Sequence, residues 1–480
     1  MKSTFVQRLL SLVIITLLLI SQTWATCGGG GGGGMGGVSP GPGMGGGEQV
    51  YYVPWKLIKP EDTIKEGLIV YWFPSSTEEF QRSSLRVSRS LTTYSSQCVT
   101  MGVADAGTSL GQKFVSGDKL PVAILTAPDG AVLGKAENNN GRLKVEQVEK
   151  LVESEIKKRE EGIKERMEDA KGKAKSGDNA AAIQEYRAVL EQKCLFPKRA
   201  KDAAKELKKL GVTDVAEVPD SPSMDAAVTT KIERTMIAGL KAENAARYID
   251  AERMYEAAHR IDPADPVPLR YLGELYRHHI GNWQKARTTF DAVLAMQADP
   301  LSRAVALHGL GKMTIHEGQF KKGLALMEQS VAVYPLALAY RNLAVYWNSE
   351  GDQAKADRYT QEALKLDPKD PYNLVFAAVF MSNHEEALKI ARANEALLPA
   401  SYNLAAIYAQ AGEKEKALAL LKRHFFEYER YQAVRSKEMM EARVDAVFAS
   451  LMSDSKFMSL TSGADGRLPM RMSAPAAGQQ

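Results

Sequence analysis

From the middle of the chain onward a proline returns at a nearly fixed interval: Pro263, Pro300, Pro335, Pro368 and Pro399 are separated by 37, 35, 33 and 31 residues. Such a period means one small supersecondary unit copied along the chain, stable only when stacked on its neighbours. Small and aromatic residues recur in phase within the units: Leu272-Gly273 with Tyr276, Leu310-Gly311 with Gly318 and Phe320, Leu343-Ala344 with Trp347 and Gly351, and Leu404-Ala405 with Tyr408 and Gly412. The second half of each unit pairs a small residue with a larger one four positions on: Ala251 and Tyr255, Ala286 and Phe290, Ala356 and Thr360, Ala417 and Leu421. Two antiparallel helices approach closely only where a small side chain faces a large one, so each unit reads as a helical hairpin.

This register resembles the tetratricopeptide repeat family, whose period is about 34 residues. The resemblance implies an all-α solenoid of about five to six repeats over 229–430. A looser unit precedes it at 161–210, where Gly177, Ala182 and Tyr186 fall in phase, and 211–228, with Pro219 and Pro222, reads as a linker. The unit from Pro371 to Pro399 is short in its first helix. Residues 431–461, with apolar runs at Arg443–Leu451 and Lys456–Leu460, read as helices that cap the last repeat, and 462–480 as a disordered tail.

In that family, exposed positions on the first helix of each pair line a concave groove that takes extended or helical peptides. Carried over residue by residue, the resemblance places there Arg270, Glu274, Arg277 and His278, then His308, Lys312 and His316, then Arg341 and Asn348, then Tyr402 and Gln410. The middle of that row is cationic and would favour a partner with acidic side chains or a free carboxylate; an ordinary solvated face is the alternative. The Lys and Asn carboxylate clamp of chaperone-binding members is incomplete, only Asn342 and Asn403 matching. His308, His316, His278 and His279 could be imagined around a metal, but no carboxylate or Cys completes them at ligand spacing, and no metal or cofactor is assigned.

Upstream the pattern changes. The apolar run Gly67–Phe73 reads as a buried strand stopped by Pro74-Ser75-Ser76, with Thr77 as N-cap of a helix running to about Tyr94. Cys98–Ala104 reads as a second strand, followed by a short helix near Ser109–Phe114, a strand Val122–Thr126 led by Leu120-Pro121, a Pro-Asp-Gly turn, the strand Ala131–Gly134 and a helix from about Val145. This order, with the aromatic strand and Leu120-Pro121-Val122, resembles the thioredoxin fold over 48–160. The fold class expected is therefore multidomain: an α/β thioredoxin-like domain followed by an all-α solenoid. Where that family carries CxxC, this chain reads Pro74-Ser75-Ser76-Thr77-Glu78-Glu79, and without a thiolate no mixed disulfide can form. The domain is expected to be redox-inactive.

Residues 1–26 read as a signal peptide: Lys2 and Arg8, an apolar run Leu9–Ile20, and small residues allowing cleavage after Ala25, with an uncleaved anchor as the alternative. Residues 27–47 form a glycine tether. Cys27 is a candidate lipidation site, although Thr26 and Trp24 depart from a lipoprotein box. Export implies the periplasm or cell envelope. Of the three cysteines, Cys98 and Cys194 could bridge or remain two buried thiols. A formal charge of +4, from 62 basic against 58 acidic side chains, argues against nucleic acid as partner. The function expected is an exported, non-catalytic scaffold that binds protein or peptide partners. The alternative is an atypical thiol or other enzymatic activity in the thioredoxin-like domain.

Overall fold

The structure is a computed structural model that describes residues 50–429 and 432–465. The expected signal peptide, the glycine tether with Cys27, and the tail from residue 466 lie outside the described residues; Ser462–Asp465, assigned to that tail, form a 3-10 turn.

The N-terminal unit contains β1 (Lys56–Leu57), β2 (Leu68–Phe73), α1 (Thr77–Arg82), α2 (Arg89–Ser95), β3 (Val99–Val103), α3 (Ser109–Phe114), β4 (Val122–Thr126) and β5 (Val132–Glu137). The five strands form one sheet in the order β1-β3-β2-β4-β5. Strand β3 runs parallel to β1 and β2, whereas β4 is antiparallel to both β2 and β5. Every residue of β2 is buried because the sheet is covered on both faces. Leu68, Val70 and Trp72 enter one core with Leu85 and Leu91, while Ile69, Tyr71 and Phe73 enter a second core with Leu110 and Phe114. The Leu120-Pro121 peptide bond is cis.

Two local expectations are corrected. The N-cap is Ser76 rather than Thr77: its Oγ accepts the Glu79 N–H at 3.1 Å. The single helix expected to reach Tyr94 is broken into α1, a 3-10 turn at Ser84–Arg86, and α2. Serine is the cause. The hydroxyls of Ser83 and Ser88 accept the N–H groups of Leu85 and Leu91, competing with the helical ladder.

Helix α4 (Val145–Lys175) runs for 31 residues out of the sheet unit and into the next one. Its Val148 and Val152 pack into the sheet core, while Ile163, Met167 and Ala170 join Ala182, Tyr186 and Val189 of α5 (Asn179–Glu191) in the same continuous cluster. Helix α6 (Pro197–Lys209) closes this unit, and no regular element is formed over 212–225. Cys98 and Cys194 form a disulfide, with Cα atoms 5.6 Å apart, that ties the turn before β3 to the loop after α5. Cys98 lies just outside the strand expected to hold it, with φ at 60°.

Six helical hairpins follow: α7 (Ala226–Asn244) with α8 (Tyr248–Ile261), α9 (Pro266–Glu274) with α10 (Trp283–Ala295), α11 (Pro300–His316) with α12 (Phe320–Val333), α13 (Ala337–Ser349) with α14 (Gln353–Leu366), α15 (Pro371–Val379) with α16 (His384–Ala393), and α17 (Ser401–Gln410) with α18 (Lys414–Arg423). Asp225, Asp265, Asp299 and Asp370 cap first helices through their side chains, and Pro266, Pro300 and Pro371 open three of them. Helix α15 has 9 residues where α13 has 13, as the short unit required. One phased position is corrected: the large side chain buried with Ala356 is Tyr359, while Thr360 hydrogen-bonds back to the Ala356 carbonyl.

The hairpins close as the small-against-large pattern demands. A Cβ at Gly273 would lie 2.3 Å from the Phe290 ring. Gly273→Ala is therefore expected to destabilise the protein by about 1–3 kcal/mol through overpacking, despite alanine's better helix propensity. Equilibrium urea denaturation measures this; an unchanged midpoint would show that the hairpin can open at no cost.

The 3-10 turn Ala446–Leu451 and α20 (Ser455–Leu460) cover the last hairpin, burying Phe448, Leu451 and Phe457 with Leu404 and Leu421. Between them and α18 lies α19 (Gln432–Ala442), whose Met439 and Ala442 join the same cluster while other side chains reach earlier hairpins. Among the described residues no helix is long and apolar enough to cross a membrane.

Candidate functional site

The first helices of the hairpins bring the expected groove residues onto a common face, but the expectation that they are exposed is overturned. Arg270, Arg277, His278, His308, Lys312, Arg341 and Tyr402 are all buried, and Glu274, His316, Asn348 and Gln410 are only half-buried. From Arg270 to His316 two segments of the same chain occupy that face, while Arg341 lies against Asn373 and Phe376 of the next hairpin and Tyr402 against Asp445 and Phe448.

The first is the stretch that leads into the sheet unit. The Val50 carbonyl accepts from Arg270 Nη2 at 3.2 Å and from the Tyr271 hydroxyl at 3.5 Å. Tyr51 donates its hydroxyl to Asp265 Oδ2 at 2.8 Å. Arg89 of α2 lies 3.5 Å from carboxylate oxygens of both Asp262 and Asp265 and donates to the Ser223 carbonyl. Burial raises the Asp265 carboxyl above its usual range while Arg89, the Val267 N–H and Tyr51 oppose that rise. Arg89 itself ends up raised: burial pulls it down, but Asp265, Tyr51 and Asp262 outweigh the burial. The ionised pair is the form that the three donors around Asp265 favour. Further along the array, Gln81 of α1 donates to Asp367 at 2.9 Å.

The second segment is C-terminal. After a π-helical turn, His424–Tyr428, Glu429 sits with Oε1 4.0 Å from His278 Nε2, and α19 then returns along the hairpins that contain α9 to α12. Its Glu441 meets His316 Nδ1, its Lys437 Nζ sits 2.8 Å from the centroid of the Trp283 ring, and its Glu438 lies 3.8 Å from His424 Nε2. Burial, then Glu438, raises the carboxyls of Glu429 and Glu441 well above the usual range. Burial, then Lys312 and Lys437, holds His316 well below its usual value. Burial thus favours the neutral form of each partner. His308 is depressed by burial, then by Arg277, Lys312 and Arg341, and its Nε2 lies 2.6 Å from the Asn342 amide nitrogen. Among the described residues no three His, Cys, Asp or Glu side chains converge as a metal site would need.

These directions fix a pH dependence. Glu429 and Glu441 bind protons more strongly folded than unfolded, so their stabilisation is full below the unfolded value of 4.5 and is lost as pH rises through their raised values. His308 and His316 do the opposite, costing stability as pH falls below the unfolded value of 6.5. Between 4.5 and 6.5 the two effects oppose each other, so the melting temperature is expected to be highest across that interval and to decline below it and above it. Glu429→Gln with Glu441→Gln should flatten the alkaline limb, and a melting temperature that rises steadily with pH would contradict this assignment.

Cys98, on which a thiol activity would rest, is bonded to Cys194. The Pro74–Glu79 turn offers serine hydroxyls, of which Ser76 is engaged as a cap.

No family model matches the chain. The sequence is 26% identical over 234 residues to the Protein CTR9 homolog of Arabidopsis thaliana, covering 38% of this chain and 21% of that protein. It is 30% identical over 115 residues to Photosystem I assembly protein Ycf3 of Acaryochloris marina, covering 24% of this chain and 63% of that protein. The chain thus spans less than two-thirds of either relative. Among solved structures, MamA aligns at 18% identity and TM-score 0.23 over 40% of this chain and 95% of its own. A tetratricopeptide repeat protein from Parabacteroides merdae aligns at 14% identity and TM-score 0.32 over 60% and 99%. The APC/C hetero-tetramer Cut9-Hcn1 aligns at 14% and 0.30 over 59% and 63%.

The turns of four of the six hairpins share one feature: Gly281, Gly318, Gly351 and Gly412 take left-handed φ angles of 71° to 87°, in phase with the helix contacts. The array is a solenoid of helical hairpins similar to tetratricopeptide repeats. Within the array, phase separates the packed from the unpacked face of each helix, whereas the groove positions follow from the resemblance. Glu429, Glu438, Glu441, Val50 and Tyr51 were missed as groove contacts. The only signal for the three glutamates is the density of acidic residues in the stretch Glu427–Glu441, which spans the end of the expected array and the start of the expected cap.

Proposed function

We propose that the protein is an exported, non-catalytic scaffold whose tetratricopeptide array grips protein segments through the first-helix face. The leader and tether would hold it at the cell envelope, by cleavage after Ala25, by an uncleaved anchor or by lipidation of Cys27. The observation that carries this reading is that the face already grips polypeptide: Arg270 and Tyr271 hold a backbone carbonyl of an extended segment, and Arg277, Lys312 and His316 lie along a carboxylate-bearing helix. Those are the two kinds of contact by which such a surface recognises a partner.

The unit over 48–160 is read as a thioredoxin-like domain, supported by its strand order and by the cis Leu120-Pro121 bond facing a turn without cysteines. In this reading it serves as a docking element that has lost its thiol chemistry. A role in assembly accords with the similarity to Photosystem I assembly protein Ycf3.

The test is capture of envelope proteins on the immobilised chain from residue 48 onward, alongside an insulin-reduction assay on the same preparation. A recurrent partner retained in fixed proportion, with no reduction above background, is the expected result. Catalytic reduction without any retained partner would overturn the scaffold reading in favour of an enzyme.

A further inference from the structure

We propose that the cleft between the sheet unit and the helices α4 and α5 binds a small zwitterionic thiol, which opens the Cys98–Cys194 bond by attack on Cys194 and stays there as a mixed disulfide. This goes beyond the scaffold reading and stands without it, because the chain is here the substrate of an exchange and not its catalyst.

Three observations lead there. The cleft has a volume of about 680 Å³, within the range of small-molecule sites, and Cys194 is part of its lining. Its charges come in both signs from two separate segments: Lys65 and Glu66 ahead of β2, and Glu191 and Lys193 at the end of α5, all four exposed. Arg159 and Arg187 also line it, but they are engaged by Glu155 and Asp214. The two lysines and two glutamates suit a molecule that carries carboxylate and ammonium groups together, and give no preference to a plain anion.

The two sulfurs are also unequal. Cys98 packs against the core of the sheet unit, with Gly67 set so close that a Cβ there would collide with the Cys98 carbonyl. Cys194 is half-buried on the cleft side, in a loop whose carbonyl at Cys194 accepts from Gln297 Nε2, between α10 and α11, at 3.2 Å. Access is one of the factors that select the sulfur attacked, and it selects Cys194.

The exchange balances without a further reagent. The incoming thiolate bonds to Cys194 Sγ as the bond between the two cysteines breaks, and the electron pair leaves on Cys98, which takes a proton from solvent. The thiol is oxidised to the mixed disulfide and Cys98 is reduced. The freed Cys98 thiolate can later expel the thiol and restore the bond, so the modification is reversible. While it is open, the sheet unit has lost its covalent tie to the loop that Gln297 links to the array.

The test uses the folded, oxidised full chain without denaturant, reduced glutathione as probe and 2-mercaptoethanol as the neutral control. Freed thiols are trapped with a maleimide and both cysteines are located by mass spectrometry. The expected result is a rate that saturates with glutathione and stays linear in 2-mercaptoethanol, with the mixed disulfide on Cys194 about tenfold over Cys98. Lys65→Ala with Lys193→Ala should slow subsaturating glutathione about tenfold, the size of two exposed ion pairs, and leave 2-mercaptoethanol unchanged. Circular dichroism checks that this variant is folded; should it fail to fold, saturation and the site of modification in the wild type decide. Reaction only in urea would make the bond purely structural and overturn the proposal. Equal labelling of the two cysteines, linear dependence on both thiols, or reduction by a protein dithiol but not by glutathione would overturn it as well.

Discussion

Asp265→Ala is expected to cost about 3–5 kcal/mol and to loosen the sheet unit from the helical array. Asp265 accepts from the Tyr51 hydroxyl, from Arg89 and from the Val267 N–H that caps α9, and it is fully buried. Removing it leaves a guanidinium and a phenol facing a void, with Asp262 the remaining counter-charge within reach of Arg89. The loss is that of half a buried ion pair, far above what an exposed pair such as Glu78 with Arg82 could contribute. Chemical denaturation would give the size, and small-angle scattering would show the undocked unit as an increase in radius of gyration. The isosteric Asp265→Asn should retain part of the hydrogen bonding and lose less. If alanine and asparagine cost the same, under 1 kcal/mol, the pair would not hold the units together.

The second large effect concerns the disulfide. Cys98 and Cys194 are 96 residues apart, and the loop they close restricts the unfolded chain by about 4–5 kcal/mol on the chain-entropy model. Replacing both by serine should lower the denaturation midpoint accordingly, with the slope of the transition increased if the oxidised unfolded state is the more compact. Reduction of the wild type under denaturing conditions should reproduce the same shift. A double variant as stable as the wild type would mean that the bridge constrains nothing in the unfolded chain.

How much of this was legible beforehand depended on distance along the chain. Gly273 against Phe290 could be read because helix propensity, glycine placement and aromatic phase all repeat within some thirty residues, and each copy checks the last. The strand content of the N-terminal unit was readable from the unbroken run Leu68–Phe73, buried on both faces. The break between α1 and α2 was not, since serine is tolerated in helices and only the particular positions of Ser83 and Ser88 turn it against the ladder. The state of the groove was the largest miss. What lies on its cationic residues comes from Val50 on one side and Glu441 on the other, and no periodic pattern links Arg270 to a carbonyl 220 positions earlier.

That last separation has a kinetic consequence. During synthesis Tyr51 and Arg89 are made long before Asp265 exists, and the wall around Lys312 is complete long before Glu441 emerges. Helical hairpins form from local contacts and can assemble early, but closing loops of this length comes late and slowly. The molecule therefore has two terminal docking events, one for each end of the chain, converging on a surface already built. A chain halted before either event would expose the same buried cations and tyrosines to solvent, and with them the surface most prone to pairing with another molecule.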